Sequence, residues 1–140
     1  MNKEKLKLEL QEKIAGFNND SLIFHDKFIE ELQKILIKNA SGGEGEVLKK
    51  LVVIFEQIKR VKKSIILQGK HELLKNYVRD IDCYSLHLKT KLVNIRLLLA
   101  FNSNEIPLFL VAFNEKEKND YAKQKRTFEE RYNDFKGGLK

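Results

Sequence analysis

Arg96 stands inside VNIRLLLAF, residues 93–101, a run that is otherwise β-branched and aliphatic apart from Asn94. A charge inside a strand costs free energy unless something uses it. Side chains alternate along a strand. Ile95, Leu97, Leu99 and Phe101 therefore share one face, and Arg96 lies opposite with Leu98 and Ala100. In the preceding run, CYSLHLK at 83–89, Tyr84, Leu86 and Leu88 point one way and Ser85, His87 and Lys89 the other. If helices cover the apolar set, Arg96, Ser85, His87 and Lys89 gather on an uncovered sheet face.

That set suits one kind of chemistry. Arginine grips phosphate bidentately, histidine titrates near neutrality, and lysine holds a phosphate or, with a lowered pKa, carries a proton. In RNA the substrate's own 2′-hydroxyl can attack the phosphodiester. The protein then only positions the phosphate, moves protons and neutralises developing charge. A plainer reading stands beside this one. An arginine on a solvated face is most often solvated or paired with a carboxylate. A single histidine is most often a surface residue, and Tyr121 and Tyr132 at helical spacing suit packing.

Other chemistries find less support. HELLK at 71–75 begins like a zinc-binding HExxH helix, but position 75 is lysine, so the second ligand on that helical face is missing. NASGGEG at 39–45 follows a helical pattern and runs into Glu44 and Glu46, without the Gly-Lys-Ser/Thr of a phosphate loop, and reads as a helix–helix connection. No spacing argues for a Ser–His–Asp or Cys–His arrangement. No metal or cofactor is expected.

The elements that must position the set follow from periodicity. Leu6, Leu10, Ile14 and Phe17 predict a short amphipathic helix over 3–17, and NND at 18–20 a turn. SLIFH at 21–25 reads as a short strand. Asp26 can cap a helix with Phe28, Leu32, Ile35 and Leu36 inward. A helix over 46–63 carries Val47, Leu51, Phe55 and Ile58 and ends in KRVKK. Those cations either complement the helix C-terminus or contact a polyanion. The period then becomes alternating: 83–89, 94–101 and 107–113, joined by short connections, predict an antiparallel meander, with Pro107 at a strand start where its missing N–H is tolerated. A helix over about 119–135, capped by Asn119 or Asp120, carries Tyr121, Phe128, Tyr132 and Phe135, and GG at 137–138 ends it. The expected fold is α+β: an antiparallel sheet, made of the short N-terminal strand and the three-strand meander, with helices packed on one face.

The chain has 140 residues, enough for a single domain over 1–140 with its own core. Its formal net charge of +7 favours an acidic partner, or reflects a lysine-rich solvated surface. The one cysteine, Cys83, cannot form an internal disulfide and fits a reducing, cytoplasmic setting. The start of the chain lacks a signal-peptide pattern, and no apolar run reaches the ~18 residues a membrane span needs.

The run YSLHLKTKLVNIRLLLAFNSNEIPLFLVAFNEKEKNDY, with SLIFHDKFIEELQKI and the KRVKK helix before it, resembles the RelE/ParE/HigB toxin superfamily over about residues 21–135. Those chains read as a strand, helices, an arginine-bearing strand, an apolar strand, then Phe-x-Lys-Lys and a closing helix. The resemblance implies a RelE-like fold, a cognate antitoxin as partner in a hetero-oligomer and, for RelE-like and HigB-like members, ribosome-dependent cleavage of mRNA. ParE-like members instead inhibit DNA gyrase. A third option keeps the scaffold as a catalytically inactive, basic nucleic-acid-binding module of phage or mobile-element origin.

Position by position, Arg96 matches the strand arginine that binds the scissile phosphate, Lys116 a lysine of the Phe-x-Lys-Lys element, and Tyr121 a catalytic or stacking aromatic. His87 stands where the family often has arginine, and Glu115 replaces the first lysine of its pair. The resemblance therefore implies a catalytic set of Arg96, His87, Lys116 and Tyr121. Lys89, Lys62, Lys63, Lys118 and Arg126 are the further basic positions expected to hold RNA. The N-terminal helix at 3–17 is extra relative to the shortest members, and either completes the core or binds antitoxin.

Overall fold

The computed structural model describes residues 3–17, 21–39, 44–117 and 119–138. In chain order the elements are α1 (Lys3–Ala15), β1 (Ile23–Phe24), α2 (Asp26–Lys38), α3 (Glu44–Val61), a 3-10 helix (Lys62–Gln68), β2 (Glu72–Val78), β3 (Ile81–Lys89), β4 (Asn94–Phe101), β5 (Pro107–Asn114) and α4 (Asp120–Gly138). The α+β class, the short first strand and the β3–β4–β5 meander agree with the periodicity. The expected turn at 18–20 lies outside the described residues, as does most of the glycine-rich connection.

The sheet corrects two expectations. It is mixed rather than antiparallel: its order is β1-β5-β4-β3-β2, and β1 runs parallel to β5, with Ile23 opposite Leu108 and Phe24 opposite Phe109. It also has a fifth strand. Glu72–Val78 pairs antiparallel with β3, joined by a tight turn in which Asp80 takes a left-handed conformation at φ 64°. Most of HELLK, from Glu72 onward, is therefore strand, in a segment for which periodicity predicts no element. A bulge between Leu74 and Val78, with Asn76 at φ 59°, breaks the period-2 pattern that would have revealed it.

The third correction concerns the helices, which cover both faces. On one side α1, α2 and α3 contribute Leu6, Leu10, Phe28, Leu32, Leu51 and Phe55 to a core with Leu86, Ile95, Leu97, Leu99 and Phe109. Phe109 is its aromatic centre, with Phe24, Phe28 and Phe55 at ring-centroid distances of 5.1, 5.4 and 5.3 Å. On the other side α4 lays Phe128 over Cys83, Leu98, Ala100, Leu110 and Val111, flanked by Tyr121, Tyr132 and Phe135. The aromatic stripe read from the sequence thus builds a second core. It closes over the face that was expected to stay open.

Local details fix where α2 and α4 lie. His25, not Asp26, caps α2: its Nδ1 accepts the N–H of Lys27 at 3.0 Å, and its Nε2 reaches Asp134 of α4 at 2.9 Å. Asp120 holds the loop entering α4, its carboxylate accepting the N–H groups of Lys116 and Glu117 at 2.7 and 2.9 Å. α4 ends at Gly138, within the glycine pair and a little beyond the expected 135. Because β1 is only two residues long, β5 has an unpaired stretch beyond it. Glu31 of α2 accepts the Ala112 N–H at 3.1 Å, and Arg131 of α4 donates to the Leu110 carbonyl at 2.8 Å. The two side chains pair at 2.7 and 3.0 Å and substitute for the missing strand. A half-buried bidentate pair that also satisfies backbone groups avoids the cost of an open sheet edge.

Candidate active site

Four elements bring the candidate residues together. His87 on β3 and Arg96 on β4 are directly opposite one another in the antiparallel register. Opposed side chains sit on the same face about 5 Å apart, so the proximity inferred from alternation holds. Beyond β5 the chain continues alongside β4, the Glu115 N–H donating to the Asn94 carbonyl at 2.8 Å. Glu115 therefore lands beside Arg96: its Oε1 accepts from the guanidinium Nε at 2.9 Å and stands 2.9 Å from Nη2. Both side chains are largely buried, at 15% and 21% exposure.

Tyr121, in the first turn of α4, reaches down over the strands. Its hydroxyl lies 2.8 Å from Ser85 Oγ and 3.3 Å from His87 Nε2. Ser85 is fully buried. The Tyr77 hydroxyl of β2 donates to the Tyr121 carbonyl and anchors that turn. From β2, Glu72 Oε1 stands 3.2 Å from His87 Nε2. The ring of His71, itself buried, accepts the His87 backbone N–H through Nδ1 at 3.0 Å, leaving its own Nε2 buried without a partner.

The electrostatics follow from burial. Desolvation, reinforced by Arg96, lowers the His87 pKa to about 4, while Glu115 opposes the shift. Glu72 is half exposed, so solvent screens it and burial prevails. At neutral pH His87 is an uncharged ring. The Tyr121 hydroxyl and the Glu72 carboxylate both lie near Nε2, at 3.3 and 3.2 Å. Burial lowers His71 to about 4 as well. Burial pushes the Tyr121 hydroxyl up to about 12, so it stays protonated and can donate. The arrangement holds a cation for phosphate, a neutral imidazole and a phenol donor within one polar network. Glu115 already pairs with the Arg96 guanidinium.

The other expected residues divide. Lys89 is exposed at the end of β3, opposite Asn94 and on the strand face that carries His87. Lys116 is exposed on the loop that Asp120 holds, two residues past the end of β5. Lys62 and Lys63 are at the far end of β4 from Arg96. Lys62 opens the 3-10 helix with φ 52°, and Lys63 pairs with Glu105 at 3.1 Å and lies over the Phe101 ring at 5.7 Å. Arg126 projects from α4 into solvent beside Glu130. Lys118 lies outside the described residues. Sequence reasoning weighed His71 and Glu72 only as possible zinc ligands and missed Tyr77, because the strand that carries Glu72 and Tyr77 was hidden by its bulge. It noted Glu115 only as a departure from a family pattern, not as the partner of Arg96.

No helix among the described residues is long and apolar enough to cross a membrane. Comparison of the chain with protein-family models, with curated proteins and with solved structures gave no significant match in any of the three.

Proposed function

We propose that the protein is a toxin of a type II toxin–antitoxin pair that cuts RNA, acting on mRNA at the ribosome, with His87, Arg96, Lys116 and Tyr121 as the cleaving set. The observation that carries the reading is the cross-strand His87–Arg96 pair with the Tyr121 hydroxyl 3.3 Å from the imidazole. Arg96 binds the scissile phosphate, displacing Glu115. The neutral ring then takes the 2′-hydroxyl proton, and protonated Tyr121 donates to the phosphate or the leaving oxygen. The basic surface supplies affinity for RNA. A RelE-like fold and a cognate antitoxin as partner belong to the same reading.

A specific observation favours a second reading, a catalytically silent RNA-binding module. Arg96 is neutralised by Glu115, and the Glu72 carboxylate stands 3.2 Å from His87 Nε2. Expression of the protein alone, with mapping of mRNA 5′ ends in translating and translation-arrested cells, separates the two. Cleavage that requires translation and disappears in Arg96→Gln, with an unchanged circular dichroism spectrum, supports the toxin. No cut mRNA, with RNA binding retained, overturns it in favour of the module. A DNA-damage response without cut mRNA overturns it in favour of a gyrase inhibitor.

A further inference from the structure

Along the edge of β5, α2 and α4 are braced at one point by the Glu31–Arg131 pair. Toward the C-terminus of α2 and the N-terminus of α4 they part, leaving a cleft of about 370 Å³. Its rim carries Lys34, Lys38, Lys116 and Lys123. Asn39, Asn114 and Gln124 add carboxamides, and Ile35 and Phe113 supply an apolar wall. Asn39 Nδ2 already donates to the Ile35 carbonyl and Asn114 Oδ1 already accepts the Asn94 N–H, so that Asn39 Oδ1, Asn114 Nδ2 and Gln124 face the ligand. Two acids are present, but both are engaged: the Asp120 carboxylate accepts two backbone N–H groups, and Glu117 and Asp120 each stand 3.7 Å from the Lys123 ammonium. Among the described residues Lys34, Lys38 and Lys116 have no ion-pair partner. A second cleft continues the basic path over α2, sharing Lys34 and Lys38 and adding Lys7.

Phe113 connects this cleft to the candidate active site. It is the register partner of Arg96, and its ring meets Tyr121 edge-on at 5.1 Å. One face of the same short segment thus borders the arginine, and the segment also walls the cleft. We infer that the cleft is a nucleotide subsite for single-stranded RNA next to the scissile phosphate. Its lysine rim holds the neighbouring phosphate, its apolar wall takes the base, and its carboxamides meet the base edge. The inference rests on the RNA reading above and extends it to Lys34, Lys38 and the carboxamides, which no sequence pattern singled out. An acidic peptide would use the lysines but not the apolar wall and carboxamides together, which is why RNA is preferred.

The test measures binding of a fluorescein-labelled ten-residue oligouridylate by anisotropy across a salt series. It compares the wild type, Lys34→Gln/Lys38→Gln, and a charge-matched control, Lys13→Gln/Lys49→Gln, on the α1–α3 side. The cleft variant is expected to bind about tenfold more weakly, its salt slope reduced by about 1.4 for two lost single-strand phosphate contacts, with the control close to wild type. Both variants change solvated helix positions, and thermal melts confirm folding. Equal losses in the two variants show a general charge effect and overturn the subsite. Unchanged binding in the cleft variant overturns the subsite while leaving the RNA reading intact. If the wild type binds no RNA, the RNA reading itself fails. If a hepta-glutamate peptide binds the wild type more tightly than RNA does and loses affinity in the cleft variant, the cleft belongs to an acidic protein partner and the RNA assignment is overturned.

Discussion

Acid should unfold this protein through two buried imidazoles. His71 and His87 both have pKa values lowered to about 4 from an ordinary 6.5, in each case mainly by burial. The unfolded chain binds a proton at each as the pH falls through 6.5, and the folded chain does not until about 4. Stability is therefore unaffected above about pH 7 and falls as the pH drops between 6.5 and 4. A depression of about 2.5 units corresponds to about 3 kcal/mol per histidine when complete, and about 2 kcal/mol each at pH 5. A domain of this size has a total stability of about 5–15 kcal/mol, so the pair removes a substantial share. Urea unfolding between pH 7.5 and 4.5 reads this directly. His71→Phe and His87→Phe change the neutral-pH stability by packing and lost hydrogen bonds, but each should flatten the decline by about 2 kcal/mol at pH 5. NMR titration of the imidazole carbons gives an independent readout. If both rings titrate near 6.5, or if neither variant alters the pH dependence, the argument from burial is wrong.

Two further outcomes concern the scaffold. Arg131→Met removes two contacts to Glu31 and the donor to the Leu110 carbonyl, leaving a part-buried carboxylate uncompensated; a loss of about 3 kcal/mol is expected in urea melts. Glu31→Gln should cost less than half of that, because its amide oxygen still accepts the Ala112 N–H. Phe109→Ala, at the fully buried aromatic centre, should cost about 3–5 kcal/mol in the same measurement.

Local pattern was enough for much of this protein. Strict alternation in CYSLHLK and NIRLLLAF fixed which side chains face the helical core, and short connections fixed antiparallel pairing. That His87 and Arg96 share a sheet face follows from those two facts; the register that sets them opposite one another was added by the fold. Helical spacing placed Phe28, Leu32 and Phe128 inward without any knowledge of their partners. What the chain could not show locally was what lies across a gap in sequence. Whether α4 covers the second sheet face depends on packing that no local period records. That covering turns a supposed solvated patch into a half-buried network and lowers the histidine pKa values. Glu115 is nineteen residues from Arg96, and Glu31 a hundred from Arg131. Such pairs arise because strands and helices remote in the chain end at the same place. The bulge that hid β2 is also a tertiary matter, since one extra residue is tolerated only where a neighbouring strand holds the rest in register. Composition and periodicity determined the elements and their inner faces. The tertiary structure alone decided that Arg96 is held by a carboxylate, because only folding sets the end of β5 against the start of β4.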